Sequence, residues 1–278
     1  AFTATARETA VIGFLVAGSA FYGWVLMRTG LTLKLAEALV GISRDPAVEN
    51  RNLFARKFAS EESLDAILML WAGMTVEQAA REFTALFDAL GLGALEGRGI
   101  EIGAGLAPLA ACAVRRYEGI ESILAVELVP DVVMLLQRRV LRAIAGEGDT
   151  RIQGVIGSFD DLRVPDGSID FCLEFDALHH SNDLAKTLTE AARVLRSGGV
   201  MVCIDRAHPD WLAEEQRQTM LNVKYPLAWK RRQGYPDAPL TRRQNGEHEI
   251  RFGDWNRAFD AAGLGGLTRT GRAALHAA

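Results

Sequence analysis

The sequence has little cysteine and no long run of like charge. The three cysteines among its 278 residues, Cys112, Cys172 and Cys203, lie far apart in apolar segments. This pattern is typical of small buried side chains in a reducing compartment and argues against a disulfide framework. The net charge is −4 and no five consecutive residues share one sign, which argues against a nucleic-acid-binding protein. No metal-ligand cluster is evident in the sequence, so no metal is expected.

The rest of the composition is that of a globular chain. Hydrophobic residues make up 49% and charged residues 24% of the sequence, which are ordinary fractions. A chain of this length holds one large domain, or one domain and a smaller one, with a sizeable core.

The amino-terminal segment 9–27 carries no charge and is followed by Arg28. An apolar stretch of about 18 residues or more is a candidate for a transmembrane helix. However, glycines interrupt the segment and no clear signal-peptide cleavage site follows it. Membrane attachment and a buried or partner-covered helix both stay open. In the membrane case Lys34 and Arg44, which follow the segment, would leave the main domain cytoplasmic, and the expected location is cytoplasmic with possible membrane association.

The first third of the chain has helical patterns. A Thr75–Gln78 pair has the spacing of a capping box, and Gly73 just before it ends another helical pattern. We therefore predict a helical extension over residues 1–93, which covers a pocket or associates with a membrane or partner, and a main domain over 94–278. The expected helices of the amino-terminal extension lie at 31–41, 62–71 and 76–90.

From residue 97 onward, strand and helix patterns alternate. Such alternation predicts an α/β fold: a Rossmann-like, doubly wound, mostly parallel sheet with helices on both faces. After the strand expected at 200–205, the alternation pauses. One or two helices are expected over 210–230, together with polar, turn-rich residues, and we interpret this region, at about 207–248, as an inserted lid. The expected strands are 98–102, 122–127, 151–156, 169–174, 200–205 and 264–270, and the expected helices are 108–117, 130–145, 184–195 and 252–262.

The segment GIEIGAGLA, residues 99–107, joins the first strand to the first helix of this domain. Gly103 and Gly105 let a ligand approach the backbone, as in nucleotide-binding folds. Glu127 ends the second strand 24 positions after Gly103, where an acid can accept hydrogen bonds from both ribose hydroxyls. Glu174 ends the fourth strand at the same crevice. A lone Gly-x-Gly is a weak signal, but the set indicates a nucleotide ligand.

Four stretches in one order resemble the class I S-adenosylmethionine-dependent methyltransferases of the small-molecule type. They are GIEIGAG at 99–105, FDDLRVPDGSID at 159–170, LHH at 178–180 and AARVLRSGG at 191–199. The resemblance covers residues 97–206 and, more loosely, 250–271. Each stretch alone is a weak signal for this family, whereas the four stretches together in this order are specific for it.

The resemblance implies S-adenosylmethionine as cofactor, with S-adenosylhomocysteine as its product, and a small-molecule acceptor. Ala107 replaces the family's third glycine, and Ser158 replaces its adenine-side aspartate. Adenine recognition is then expected to pass to Asp160, Asp161 or backbone amides. The implied cofactor contacts are Glu101, Gly103 and Gly105 for the amino-acid part, Glu127 for the ribose, Ser158, Phe159 and Asp160 for the adenine, Glu174 near the methionine end, and in addition Ala104 and Leu128.

Methyl transfer needs few catalytic side chains, because the sulfonium of the cofactor is already a strong electrophile. The protein mainly aligns the donor with the acceptor and excludes water. A base is needed only if the acceptor must lose a proton. His179 and His180 are the candidates, although capping or packing at a helix entry explains them equally well. The lid region adds Arg206, Tyr225, Trp229 and Tyr235, and for the three aromatic residues core packing is the favoured alternative.

Two alternatives remain at this point. An NAD(P)-dependent oxidoreductase is disfavoured by Pro108, where a third glycine is wanted, and by the absence of a Tyr-x-x-x-Lys motif. A non-catalytic S-adenosylmethionine-binding scaffold is disfavoured by the intact glycine turn and acids, although these indicate binding and not turnover. A DNA methyltransferase is disfavoured by the missing Asn/Asp-Pro-Pro-Tyr/Phe motif. The acceptor atom (oxygen, nitrogen or carbon), the oligomeric state and any trimming of the ends are left open.

Overall fold

The computed structural model describes residues 45–91 and 93–265. The chain divides into two compact units, residues 1–49 and 50–278, and the sheet belongs to the second. The predicted helix at 31–41 and the apolar segment 9–27 lie outside the described residues. Within residues 45–91 and 93–265, no helix has the length and hydrophobicity that a bilayer crossing requires.

Among residues 45–91, three helices precede the sheet: α1 (Pro46–Phe58), α2 (Leu64–Ala72) and α3 (Val76–Ala89). Helix α2 begins at Ser63, whose side chain accepts the N–H of Ala66, and ends at Gly73 in the left-handed conformation, with φ 70°. Helix α3 begins with the predicted capping box, in which Thr75 and Gln78 each accept the other's backbone N–H. The local signals for these two helices are confirmed.

In the part of the chain that the structure describes, the sheet has five parallel strands in the order β3-β2-β1-β4-β5. The order changes direction between β1 and β4, and ligands of such sheets bind in the crevice at the carboxyl ends of the strands on either side of this point. The α/β prediction is confirmed. The strands are β1 (Gly97–Ile102), β2 (Ile120–Glu127), β3 (Ile152–Ile156), β4 (Ile169–Phe175) and β5 (Leu195–Ile204).

Helices cover both faces of the sheet. Ile100 and Ile102 of β1 are fully buried in a cluster with Leu188 and Val194 of one helix and Trp255 of another. Burial of each such large aliphatic side chain contributes about 1.5–3 kcal/mol. The helices are α4 (Pro108–Arg116), α5 (Arg138–Ala145, directly after a π-helical stretch at Val132–Gln137), α6 (Leu184–Val194), α7 (Glu214–Leu221), α8 (Leu227–Gln233) and α9 (Phe252–Ala261).

Strand β5 begins at Leu195, five residues before its predicted start at 200. Leu195 pairs with Ile169 and Val200 pairs with Phe171, so the residues between them form a bulge. A Cβ on Gly199 would lie 2.9 Å from the carbonyl oxygen of Arg196, which explains a glycine there. In the sequence, Gly198 and Gly199 indicated a boundary between a helix and the strand. In the structure they lie within the strand and allow its bulge.

Helices α7 and α8 overlap the stretch 210–230, where one or two helices were predicted. The strand predicted at 264–270 is not tested as a whole. Leu264 and Gly265 are not in a strand, and residues 266–270 lie outside the part of the chain that the structure describes.

Candidate functional site

The turn after β1 is shaped by three left-handed residues, Gly103, Gly105 and Ala107, with φ of 62°, 52° and 56°. A Cβ on Gly103 would lie 2.4 Å from the Cβ of Ala177, and one on Gly105 would lie 2.8 Å from Nε1 of Trp71. Both positions therefore require glycine. At Ala107 the same conformation costs roughly 1–2 kcal/mol, which the packing of this fully buried residue offsets.

The peptide groups of Gly105 are held from two sides. Glu127, at the end of β2, accepts the N–H of Gly105 through Oε2 at 2.8 Å and that of Val129 through Oε1 at 2.9 Å. Gln137, at the end of the π-helical stretch, donates from Nε2 to the carbonyl oxygen of Gly105 at 2.9 Å. Burial raises the pKa of Glu127, and its backbone hydrogen bonds oppose this. The turn is thus rigid before any ligand arrives.

Glu101 points from β1 to the first turn of α4. Its Oε2 accepts the N–H of Ala110 at 2.9 Å, where Ala107, the residue before the helix, has no side chain to do so. Burial raises the pKa of Glu101 to about 8, and the hydrogen bond from Ala110 opposes this increase. The carboxyl group is therefore largely protonated at neutral pH.

Glu174 is fully buried and ties the ends of β4 and β5 together. Its Oε1 accepts the N–H groups of Ala177 at 2.8 Å and Leu178 at 3.2 Å. Its Oε2 accepts the S–H of Cys203 at 2.9 Å and the N–H of Ile204 at 3.1 Å. Burial raises the pKa of Glu174 well above its ordinary value. Its place near the methionine end of a cofactor stays a prediction.

The predicted adenine side lies in the loop after β3. The Oγ of Ser158 accepts the N–H of Asp160 at 3.1 Å, and the carboxylate of Asp160 accepts from the hydroxyl of Thr187. A ring carbon of Phe159 lies 3.5 Å from the Cβ position of Gly103, so the structure brings this loop to the glycine turn. Leu128, beside the turn, leaves 42% of its surface exposed.

His179 is buried beneath the end of β4 and is oriented by Asp205. Its Nδ1 lies 2.7 Å from Oδ1 of Asp205, and its backbone N–H donates to Oδ2 at 2.8 Å. Burial raises the pKa of Asp205, but the hydrogen bonds and charge of His179, together with the hydrogen bond from the N–H of Arg206, keep it below the ordinary value. The ionised carboxylate accepts from Nδ1–H, so Nε2, which faces a guanidinium N–H of Arg206, is the accepting nitrogen.

His180 has the same tautomer for a different reason. Its Nδ1–H donates to the carbonyl oxygen of Gly246 at 2.8 Å, and its Nε2 accepts from Nη2 of Arg51 at 2.9 Å. Burial holds the pKa of His180 well below its ordinary value, and the charge of Arg51 lowers it further. The two imidazole rings lie 4.1 Å apart, centre to centre. The pair therefore has two Nε2 lone pairs at the mouth of β4.

Glu247 and three aromatic residues lie beside the histidine pair. The sequence analysis did not identify Glu247 as a site residue. Tyr225 donates to Oε1 of Glu247 at 3.0 Å and stacks on Trp229, with ring centres 4.4 Å apart. Tyr235 meets Trp229 edge-on at 5.5 Å. Oε2 of Glu247 lies 3.6 Å from Nε2 of His179. No motif marks Glu247, since it lies in a polar, turn-rich stretch.

His179, His180 and Glu247 each have a ligand atom that could share one metal ion, all within 4.8 Å of one another. Arg206 and Arg51 fill the positions that such an ion would take at the two Nε2 atoms. The group is therefore a hydrogen-bond network completed by arginine.

The amino-terminal helices supply two further residues that sequence reasoning missed. Trp71 of α2 covers Gly105 and packs against Phe54, with ring centres 5.3 Å apart. Arg51 of α1 reaches the histidine pair, and Arg56 of the same helix pairs with Asp131 beside the end of β2. Neither Trp71 nor Arg51 belongs to a motif, so packing alone places them here.

Comparisons with known proteins agree with this geometry. Residues 100–203 match the family model described as a methyltransferase domain. A sarcosine/dimethylglycine N-methyltransferase from Halorhodospira halochloris is 36% identical over 74 residues, which are 27% of this chain and 26% of that protein. The chain therefore matches about a quarter of the length of this curated relative.

Two solved structures share the fold. The YcgJ protein of Bacillus subtilis superposes with a TM-score of 0.50 at 20% identity, over 66% of this chain and 68% of that one. Phosphoethanolamine N-methyltransferase 2 of Haemonchus contortus, in complex with phosphomonomethylethanolamine and S-adenosylhomocysteine, has a TM-score of 0.53 at 16% identity, over 77% and 44% of the two chains. Residues 100–203 thus match a methyltransferase domain, in agreement with the motifs, and the chain shares its fold with these two structures.

Proposed function

We propose that this protein transfers a methyl group from S-adenosylmethionine to a small-molecule acceptor by in-line displacement. One arrangement carries the proposal. The glycine turn after β1, the acid Glu127 after β2 and the histidine pair after β4 surround the same crevice at the carboxyl end of the sheet. This is where the fold binds ligands, and it combines a nucleotide cradle with two proton acceptors.

The residues present fit the cofactor. The carboxylate of Glu127 accepts the N–H groups of Gly105 and Val129, and a carboxylate has further acceptor capacity for a ribose hydroxyl. Gly103 and Gly105 keep the turn free of side chains that would stand between it and the amino-acid part. We assign the cofactor contacts to Glu101, Gly103, Ala104, Gly105, Glu127, Leu128, Ser158, Phe159, Asp160 and Glu174.

When bound, S-adenosylmethionine supplies an electrophilic methyl group, and the chain's own residues align the acceptor and manage its proton. Nε2 of His179 or His180 accepts a proton from an acceptor O–H or N–H once the acceptor replaces the arginine there. Asp205 then stabilises the positive charge on His179, as the carboxylate of a catalytic triad does.

We assign the lid to residues 207–248, with Tyr225, Trp229 and Tyr235 as the acceptor wall. A nitrogen acceptor is the first class to screen, because the curated relative is an N-methyltransferase. The helices before β1 cover the glycine turn through Trp71. Membrane association through residues 9–27 stays a prediction, and fractionation of cells that express the full chain tests it.

Calorimetric titration with S-adenosylmethionine, S-adenosylhomocysteine and NAD tests the proposal. We expect micromolar binding of the first two by the folded protein, and loss of both in Glu127→Ala. Binding of NAD alone would overturn the proposal in favour of an oxidoreductase.

Turnover is tested with methyl-labelled cofactor and a panel of amines, phenols and carbon acids. Transfer of label to one of these classes supports the enzyme. Cofactor binding without transfer to any acceptor class would favour a binding scaffold.

A further inference from the structure

A cavity of about 550 Å³ lies between helices α6, α7 and α9. We call it the α7 cavity; Leu184 of α6, Arg217 and Leu221 of α7 and Ala258 of α9 are among the residues that bound it. Its volume lies in the range of small-molecule sites. Its lining includes neither the predicted cofactor contacts nor the aromatic residues beside the histidine pair. The α7 cavity is therefore separate from the proposed cofactor crevice.

Part of the lining of the α7 cavity is apolar. Leu221, Ile250 and Ala258 are buried, and Leu184 and Ala185 add apolar surface from the first turn of α6. Apolar side chains that face a cavity favour a ligand with an apolar portion, because its burial removes apolar surface from water.

The charged lining has a surplus of positive charge. Three arginines, Arg217, Arg243 and Arg257, line the α7 cavity together with two acids, Glu249 and Asp254. The arginines come from α7, from the segment before β5's neighbouring loop contacts at 248–250, and from α9. A cavity with this balance attracts an anion.

Both acids of the lining already have cationic partners. Glu249 lies 2.7 Å from Nη2 of Arg242 and also pairs with Nε2 of His208, and neither of these cations lines the cavity. Asp254 pairs with Nη2 of Arg257. A ligand anion therefore meets paired carboxylates, which repel it less than free ones would.

Two of the arginines have donors that an anion can use. Nη2 of Arg243 donates to the side-chain oxygen of Gln218, a neutral acceptor that a carboxylate or phosphate surpasses. Nη2 of Arg217 lies 2.9 Å from Glu214, whereas its Nε is enclosed and finds no hydrogen-bond acceptor within the part of the chain that the structure describes. A buried donor without an acceptor is unfavourable, so a ligand oxygen there is a net gain.

The α7 cavity adjoins the histidine pair through the backbone. His248 lines the cavity, and its N–H donates to the carbonyl oxygen of His179 at 3.0 Å. Burial lowers the pKa of His248, and the charges of Arg243 and Arg217 are among those that lower it further. The ring of His248 is therefore neutral near pH 7 and offers a hydrogen bond rather than a charge.

We propose that the α7 cavity binds a small molecule with one anionic headgroup, a carboxylate or a phosphate, and an apolar portion. The headgroup lies at Arg243 and Arg217, and the apolar portion lies against Leu221, Ile250 and Ala258. Such a ligand contacts α6, α7 and α9 at once, so it holds α7 against the two helices that pack on the sheet.

Four probes test the chemistry of the ligand by calorimetric titration. Octanoate and hexyl phosphate carry both parts, octanamide has the apolar portion without the charge, and acetate has the charge alone. We expect octanoate or hexyl phosphate, whichever headgroup the site prefers, to bind with a Kd below about 1 mM, and octanamide and acetate to bind at least about 10-fold more weakly.

Arg243→Gln tests the place of the headgroup. This variant should weaken octanoate and hexyl phosphate about 10-fold or more, because it removes a charge-assisted contact. The matched control is Arg81→Gln on α3. The side chain of Arg81 is 59% exposed and its ion-pair partners are Glu77 and Glu82, so this variant should bind both probes as the wild type does.

Ala261→Phe tests the cavity by filling it. Ala261 lines the cavity at the end of α9 and is exposed, so the larger side chain should leave the fold intact, which circular dichroism checks. We expect this variant to lose the binding of both anionic probes. Ala261→Ser, which adds little volume, should keep it.

Two further measurements separate this site from the cofactor crevice. Saturation with S-adenosylhomocysteine should leave the Kd of the anionic probes within about 2-fold. Hydrogen exchange of the α7 amides should slow when a probe is bound, since the ligand joins α7 to α6 and α9. Neither the titrations of the variants nor the exchange depends on methyl transfer, so the site does not rest on the proposed function.

Several results would overturn the proposal. They are a Kd above about 1 mM for both anionic probes, equal affinity for octanoate and octanamide, and wild-type affinity in Arg243→Gln or in Ala261→Phe. Displacement of the probes by S-adenosylhomocysteine would place them in the cofactor crevice instead. Unchanged exchange of the α7 amides on binding would also contradict it.

Discussion

The side-chain oxygen Oε1 of Gln137 lies only 2.2 Å from the position that a Cβ on Gly154 would take. Gln137 ends the π-helical stretch Val132–Gln137, and its Nε2 donates to the carbonyl oxygen of Gly105. Such local widening of a helix often occurs at functional sites. Here it lets a helix, an edge strand and the glycine turn share one buried amide side chain.

We therefore expect Gly154→Ala to weaken S-adenosylhomocysteine binding. The new methyl group displaces Gln137 and leaves the carbonyl of Gly105 without its partner, at a cost of about 1–3 kcal/mol. Gln137→Met should have a similar effect without a change at residue 154. Calorimetric titration measures the loss. Gly148→Ala is the control, because a Cβ there meets nothing within 4 Å. Wild-type affinity in Gly154→Ala would contradict this role of the Gln137–Gly105 hydrogen bond.

Glu127 should matter as a carboxylate. Glu127→Gln keeps one acceptor oxygen and places an N–H₂ group where the other oxygen accepts a backbone N–H, so a hydrogen bond to the turn and one to the ribose are both lost. We expect affinity for S-adenosylhomocysteine to fall about 10- to 100-fold, or about 1.4–2.7 kcal/mol. Glu121→Gln, on the exposed side of the same strand, should bind normally. Equal affinities of Glu127→Gln and Glu121→Gln would disprove the assignment.

The buried carboxyl of Glu101 makes stability fall as pH rises. Its pKa is raised to about 8 in the folded protein, against an ordinary value of 4.5. Between these values the folded state binds a proton that the unfolded state does not, so unfolding becomes easier with increasing pH. Relative to Glu101→Gln, the wild type should lose about 2 kcal/mol between pH 6 and 8.

Urea unfolding at the two pH values measures this difference. Glu101→Gln keeps an oxygen to accept the N–H of Ala110 and cannot titrate, which makes it the matched reference. Parallel changes in the free energy of unfolding of the two proteins would show that Glu101 does not carry a raised pKa.

Asp205 should affect turnover more than binding. Asp205→Asn removes the charge that orients His179 and stabilises its protonated form, so kcat should fall about 100-fold or more with an acceptor that loses a proton. Affinity for S-adenosylhomocysteine should stay within about 2-fold, since Asp205 does not contact the glycine turn. Asp260→Asn, on the exposed surface of α9, is the control. An unchanged kcat in Asp205→Asn would remove His179 from the mechanism.

Much of the fold was predictable because its signals are local. The capping box at Thr75 and the stop at Gly73 act within one helical turn. The alternation of apolar strands and amphipathic helices indicated a parallel sheet, and the glycine turn with Glu127 indicated the crevice in which we propose that the cofactor binds. The start of β5 was predicted wrongly, since a glycine pair is compatible with a boundary and with a bulge.

The remaining residues of the site have no local signal. Gln137 depends on a π-helical turn, Glu247 on the path of a polar loop, and Trp71 on the packing of α2 over Gly105. No spacing rule relates any of them to the glycine turn.

The sequence by itself determined the class of fold, the cradle after β1 and the acid after β2, because hydrophobic periodicity and turn chemistry act over a few residues. Only the tertiary structure decided which side chains complete the site. Arg51 and His180 are 129 positions apart and meet because α1 packs at the carboxyl end of the sheet. Their contact is a property of the packed core, which no short stretch of sequence encodes.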